Sequence, residues 1–132
     1  MSGGRTPEER VLRVMLVDDE VGFLNVMQKR LSRRNLDVHT ASCGADAIRS
    51  LREHRFDVVV VDLKMEDMDG IELLRILRLM DPDLPVLMLT GHGSEQAARE
   101  GMALGAVDYL TKPCDLAELV GRIRLAAGEE QQ

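Results

Sequence analysis

The chain has no tryptophan, one tyrosine and two phenylalanines among 132 residues. Its core must therefore be aliphatic, with eight methionines available to fill irregular gaps. The two cysteines, Cys43 and Cys114, lack the spacing of a zinc site or a redox pair and read as buried or inert thiols. No apolar run reaches the length of a transmembrane helix and no basic-then-apolar leader is present, so the expectation is a cytoplasmic chain that does not enter a membrane. There is also no stripe of lysine and arginine. Scattered basic residues and a net charge of −6 argue against a nucleic-acid surface and suit a bound cation better than a bound phosphate backbone.

What remains is an ordinary globular composition, 45% hydrophobic and 30% charged, at a length that supports one domain with one core. Residues 1–10 are polar and charged with little to bury, and are expected to be a disordered start. The domain is expected over 11–128, with 129–132 as a polar tail.

Val58-Val59-Val60-Val61-Asp62 organises the rest. Four β-branched residues in a row show neither helical nor alternating period, which is the pattern of a strand buried on both faces of a parallel sheet. Asp62 ends the run, and an unpaired buried carboxylate is costly. At the carboxyl end of such a strand, however, a side chain emerges into the crevice where open α/β sheets bind ligands.

Val14-Met15-Leu16-Val17 is a second apolar run that ends in acids, Asp18-Asp19-Glu20. Phe23, Leu24, Met27 and Leu31 then repeat at helical spacing, and Asn35 stands where a left-handed residue closes a helix. Leu36, Val38 and Thr40 alternate with Asp37, His39 and Ala41, which suits an edge strand. Ser42 is positioned to cap a helix through Ala47, Ile48 and Leu51. After Asp62 an acidic loop leads into a helix from Ile71 to Met80 that Asp81-Pro82 ends. Pro85 to Thr90 is a third apolar run. Ser94 can cap the following helix and Gly105 can end it. Asp108 to Lys112 is the last strand, stopped by Pro113, and Asp115-x-x-Glu118 resembles a capping box for the final helix.

Five β-α units with short connections imply an α/β fold: an open, doubly wound, five-stranded parallel sheet with helices on both faces. Right-handed crossovers and an edge position for the second strand predict the flavodoxin-like order 2-1-3-4-5. Cys43 and Cys114 follow opposite edge strands in this order, which opposes a disulfide between them. All strand carboxyl ends then share one edge, so Asp18, Asp19, Asp62, Thr90 and Lys112 converge. Crowded carboxylates call for a hard divalent cation with oxygen ligands, and Mg²⁺ leaves room for a phosphoryl oxygen. Asp62 is placed to attack phosphorus while Lys112 and Thr90 offset charge on the phosphoryl oxygens.

Val17-Asp18-Asp19-Glu20, Val61-Asp62-Leu63-Lys64-Met65, Leu89-Thr90-Gly91 and Asp108-Tyr109-Leu110-Thr111-Lys112-Pro113 together resemble the signature of the receiver (CheY-like) domain of two-component response regulators. The likeness runs from Leu12 to Ala127. It implies that Asp62 accepts a phosphoryl group from a sensor histidine kinase or a histidine phosphotransfer protein. It implies a Mg²⁺ site, for which Mn²⁺ is a substitute, held by Asp19, Asp62 and the backbone carbonyl of Lys64, with Asp18 acting largely through water. Thr90 and Lys112 are expected to hold the phosphoryl oxygens, and the Lys112-Pro113 bond to be cis. Thr90 and Tyr109 are the expected switch pair, reshaping the face of the fourth helix, fifth strand and fifth helix for an effector or output domain. Lys64 and His92 correspond to positions that tune phosphoryl lifetime. Glu66 departs from the proline common in the family. The resemblance implies a monomer or a phosphorylation-dependent dimer that neither binds nucleic acid itself nor turns over an external substrate. The competing reading, a Mg²⁺-dependent phosphohydrolase working through an aspartyl phosphate, wants a second aspartate two residues after the first, where Lys64 stands. A flavin site would want a glycine-rich phosphate loop where Asp18-Asp19-Glu20 stands.

Overall fold

The computed structural model describes residues 11–65, 68–91 and 95–129. The expectations placed on residues 1–10, Glu66, His92, Ser94 and 130–132 lie outside them. Five β-α units follow one another: β1 (Leu12–Val17), α1 (Val21–Ser32), β2 (Leu36–Ala41), α2 (Gly44–Glu53), β3 (Val58–Asp62), α3 (Gly70–Met80), β4 (Val86–Thr90), α4 (Glu95–Ala103), β5 (Asp108–Thr111) and α5 (Leu116–Ala126). The strands form one parallel sheet in the order β2-β1-β3-β4-β5, as the sequence pattern predicts. Among the described residues no helix is long and apolar enough to cross a membrane.

The period-two pleat divides the core. Val58 and Val60 face a cluster with Leu24, Leu31, Leu119 and Ile123 of α1 and α5. Val59 and Val61 face Leu73, Leu74 and Leu77 of α3 and Ala47 of α2. All five residues of β3 are buried, which is why its pattern is continuous rather than alternating. β2 lies at an edge, but Ala41 at its end is buried in the cluster under α2, so the predicted alternation stops short of that residue.

Asn35 takes a φ of 61° and Gly105 a φ of 107° where left-handed residues close α1 and α4. Two cap assignments are corrected. At α2 the cap is Cys43, whose Sγ accepts from the Asp46 N–H at 3.4 Å, because the helix starts one residue later than a Ser42 cap requires. At α5, Asp115 is the N-cap residue but its side chain makes no capping bond. The capping-box spacing permits that bond, whereas the side-chain torsion decides whether it forms. An unforeseen cap is Asp69, whose Oδ1 accepts from the Ile71 N–H at 3.0 Å at the start of α3. Glu129, assigned from sequence to the tail, is buried and pairs with Arg124.

Candidate functional site

The same pleat places the site. Asp18 continues the parity of Val14 and Leu16, Asp62 that of Val58 and Val60, and Lys112 that of Leu110, all directed to the α1/α5 side. The side chains converge there from three strand ends. Asp18, with no exposed surface, accepts from the Glu20 N–H at 2.9 Å through Oδ1 and from Lys112 Nζ at 2.7 Å through Oδ2. Asp62 Oδ1 accepts from the Lys64 N–H at 3.2 Å, and its Oδ2 lies 3.5 Å from Lys112 Nζ. Asp18, Asp19 and Asp62 each present a carboxylate oxygen within 4.8 Å of the others.

Around them opens a cleft of about 680 Å³ lined by Asp19, Glu20, Asp62, Lys64, Asp69 and Lys112, among others. Of these, Asp69 is a lining residue that sequence reasoning missed. Its signal was available as an aspartate just before the apolar spacing of α3 begins. Gly70 behind it leaves no room for a side chain without a shift of backbone: a Cβ there would stand 2.5 Å from Leu63 Cα and 2.9 Å from the carbonyl oxygens of Asp62 and Leu63. The start of α3 is thus pressed against the backbone that carries Asp62.

Burial raises the pKa of Asp62 above the ordinary carboxylate value. The Lys64 N–H opposes the shift, the charge of Asp18 adds to it, and Lys112 opposes it. For Lys112, burial acts to lower the pKa, but the hydrogen bond to Asp18 and the charges of Asp62 and Asp18 outweigh it, leaving the ammonium above the usual lysine value. A donor set of three carboxylates, one of them disfavoured as an anion, fits a hard divalent cation.

Thr90 ends β4 at this edge but has the parity of Val86 and Met88, which face the other cluster. Its buried hydroxyl donates to the Leu110 carbonyl at 3.3 Å, so it is not engaged with Asp62. Tyr109, on the same side of β5 as Thr111, is 44% exposed. The Lys112–Pro113 peptide bond is cis. Cys43 and Cys114 are both free thiols.

The profile of the response regulator receiver domain family matches residues 14–124. The transcriptional regulatory protein PrrA of Mycobacterium tuberculosis is 41% identical over 112 residues, which make up 85% of this chain and 48% of that protein. The transcriptional regulatory protein ZraR of Escherichia coli is 34% identical over 86% of this chain and 26% of its own length. The chain thus spans about half or less of the length of these relatives. The crystal structure of a response regulator receiver domain protein from Clostridium thermocellum superposes with a TM-score of 0.85 at 32% identity, covering 89% of this chain and 94% of that one.

Proposed function

The chain belongs to the response regulator receiver domain family and is a receiver module of two-component signalling, and on that premise we propose that Asp62 is its phosphoacceptor. An Asp62 carboxylate oxygen forms a bond to phosphorus as the bond from phosphorus to a donor histidine nitrogen breaks, with the electron pair leaving on the imidazole. The donor is a sensor histidine kinase or a histidine phosphotransfer protein. The observation that carries this reading is the convergence of Asp18, Asp19 and Asp62 within 4.8 Å beside Lys112, at the mouth of an open cleft.

Asp19, Asp62 and the Lys64 carbonyl would hold Mg²⁺, or Mn²⁺ in its place, with Asp18 acting mainly through water. When bound, the ion neutralises the carboxylates and the negative charge of the phosphoryl group. Lys112 exchanges its bond to Asp18 for a phosphoryl oxygen. Thr90 exchanges the Leu110 carbonyl for another, and Tyr109 turns inward from its exposed position. The face of α4, β5 and α5 then reads out the change to an effector or output domain, by a shift of population toward the state that contacts the phosphoryl group better. Lys64 and His92 set how long the phosphoryl group lasts. The module acts in the cytoplasm, its receiver unit is 11–128 with Glu129 packed against it, and its only chemistry is its own phosphorylation and dephosphorylation. Incubation with Mg²⁺ and acetyl phosphate tests this. A hydroxylamine-labile phosphate that disappears in Asp62→Asn is expected, and an unlabelled parent would overturn the reading.

A further inference from the structure

Lys112 has three N–H bonds to place and two carboxylates near it. One donor meets Asp18 Oδ2 at 2.7 Å, and the 3.5 Å separation from Asp62 is longer than a good hydrogen bond. Phe23 occupies a further flank: Nζ lies 4.5 Å from the centre of its ring. Phe23 is the third residue of α1, only partly buried, and packs at the margin of the α1/α5 cluster. Its helical spacing in the sequence marks it as core, yet its ring is spent on the ammonium.

We propose that Phe23 is a positioning residue for Lys112 in phosphoryl transfer, an inference that rests on reading Asp62 as the phosphoacceptor. The negative face of the ring attracts the ammonium and keeps water from that flank. It offers no lone pair to compete for the N–H bonds. To reach a phosphoryl oxygen Lys112 moves an N–H toward Asp62 and loosens its 2.7 Å bond to Asp18. An aromatic face holds the ammonium near Asp62 during that exchange without adding an acceptor that must also be broken. A carboxylate or amide at this position would hold Lys112 back, and an aliphatic side chain would leave that flank to water. The Phe23 side chain touches neither substrate nor metal in this scheme. Its whole effect passes through Lys112.

The test measures the rate constant for acetyl-phosphate labelling by intact-mass spectrometry at saturating Mg²⁺, with Mg²⁺ affinity taken separately by calorimetry. Phe23→Leu should slow labelling on the order of threefold to tenfold, while Phe23→Tyr, which keeps the ring, should match the parent. The Mg²⁺ affinity of both should stay within about twofold of the parent. In a Lys112→Ala background, Phe23→Leu should cause no further loss, because the partner through which it acts is gone. If circular dichroism shows that Phe23→Leu does not fold, Phe23→Met takes its place, being unbranched and without a ring. Labelling of Phe23→Leu at the parent rate would refute the positioning role alone, as would an equal loss in the Lys112→Ala background or a loss in Phe23→Tyr as large as in Phe23→Leu. A parent that is not labelled at all would overturn the phosphoacceptor reading first, and this inference with it.

Discussion

Replacing Asp62 by asparagine should stabilise the metal-free protein at neutral pH. Lys112 lies 3.5 Å from Asp62 Oδ2, an attraction of roughly 5 kcal/mol at an effective dielectric of about 20. Repulsion from buried Asp18, within 4.8 Å, is roughly 3.5 kcal/mol on the same scale, and solvent-facing Asp19 adds about 1 kcal/mol at the dielectric of water. These terms nearly cancel, so the cost of burying the charge decides the sign, in keeping with the raised pKa of Asp62. Asparagine keeps an oxygen for the Lys64 N–H, and Lys112 keeps Asp18 at 2.7 Å. Neither partner is orphaned. The expected gain is about 1 kcal/mol, or about 3 to 5 °C in Tm for a domain of this size.

The pH dependence has a definite direction. Because the folded-state pKa of Asp62 lies above its unfolded value of 3.8, the folded state holds the proton more tightly. The parent therefore loses relative stability as pH rises from 3.8 through the folded-state value. The advantage of Asp62→Asn should be absent at pH 3, where both forms are neutral, grow through that window and be complete at pH 7. Mg²⁺ at ten times its dissociation constant would stabilise the parent by about 1.4 kcal/mol and close the gap. Calorimetric melting in EDTA and in Mg²⁺ reads all of this. A metal-free parent more stable than Asp62→Asn at pH 7, or an advantage that persists at pH 3, would refute the reasoning.

Gly70→Ala should cost about 1 to 3 kcal/mol in urea unfolding, since the added Cβ meets backbone rather than a side chain that can move aside. The same substitution should weaken Mg²⁺ binding by displacing the Asp62–Leu63 segment, and an unchanged affinity by calorimetry would show that the loop absorbs the clash elsewhere. Leu74→Ala, in the wholly buried cluster under α3, should lower stability by about 2 to 5 kcal/mol while leaving the yield of labelling by acetyl phosphate near that of the parent below the melting range. Thr90→Val removes the hydroxyl that donates to Leu110, and should cost about 1 kcal/mol in stability. It should leave Mg²⁺ affinity unchanged, which titration would check.

Much of the fold was legible because parallel strands covered on both faces announce themselves. The run Val58 to Val61 could be nothing but a central strand once short connections and five alternating units were read together, and strand order followed from the polar edge strand at Leu36–Ala41. The convergence of the acidic and basic residues was legible for the same reason. In a parallel sheet every strand ends at one edge, so topology alone gathers Asp18, Asp19, Asp62, Thr90 and Lys112 there. Helix starts were less legible: Ser42 and Asp115 have the chemistry of caps, but α2 starts one residue later than a Ser42 cap requires and the Asp115 side chain makes no capping bond, details that sequence does not encode locally, so Cys43 is the side-chain cap of α2.

The sequence by itself thus determined the strand order and which residues share the edge, through hydrophobic period and connection length. Only the tertiary structure decided how those residues divide. The pleat turns Asp18, Asp62 and Lys112 to one side while Thr90 takes the other parity and donates to Leu110. Packing brings Phe23 over Lys112 and α3 against the Asp62 backbone. Those are distances between segments far apart in the chain, set by how the helices seat on the sheet, and no local pattern of residues carries them.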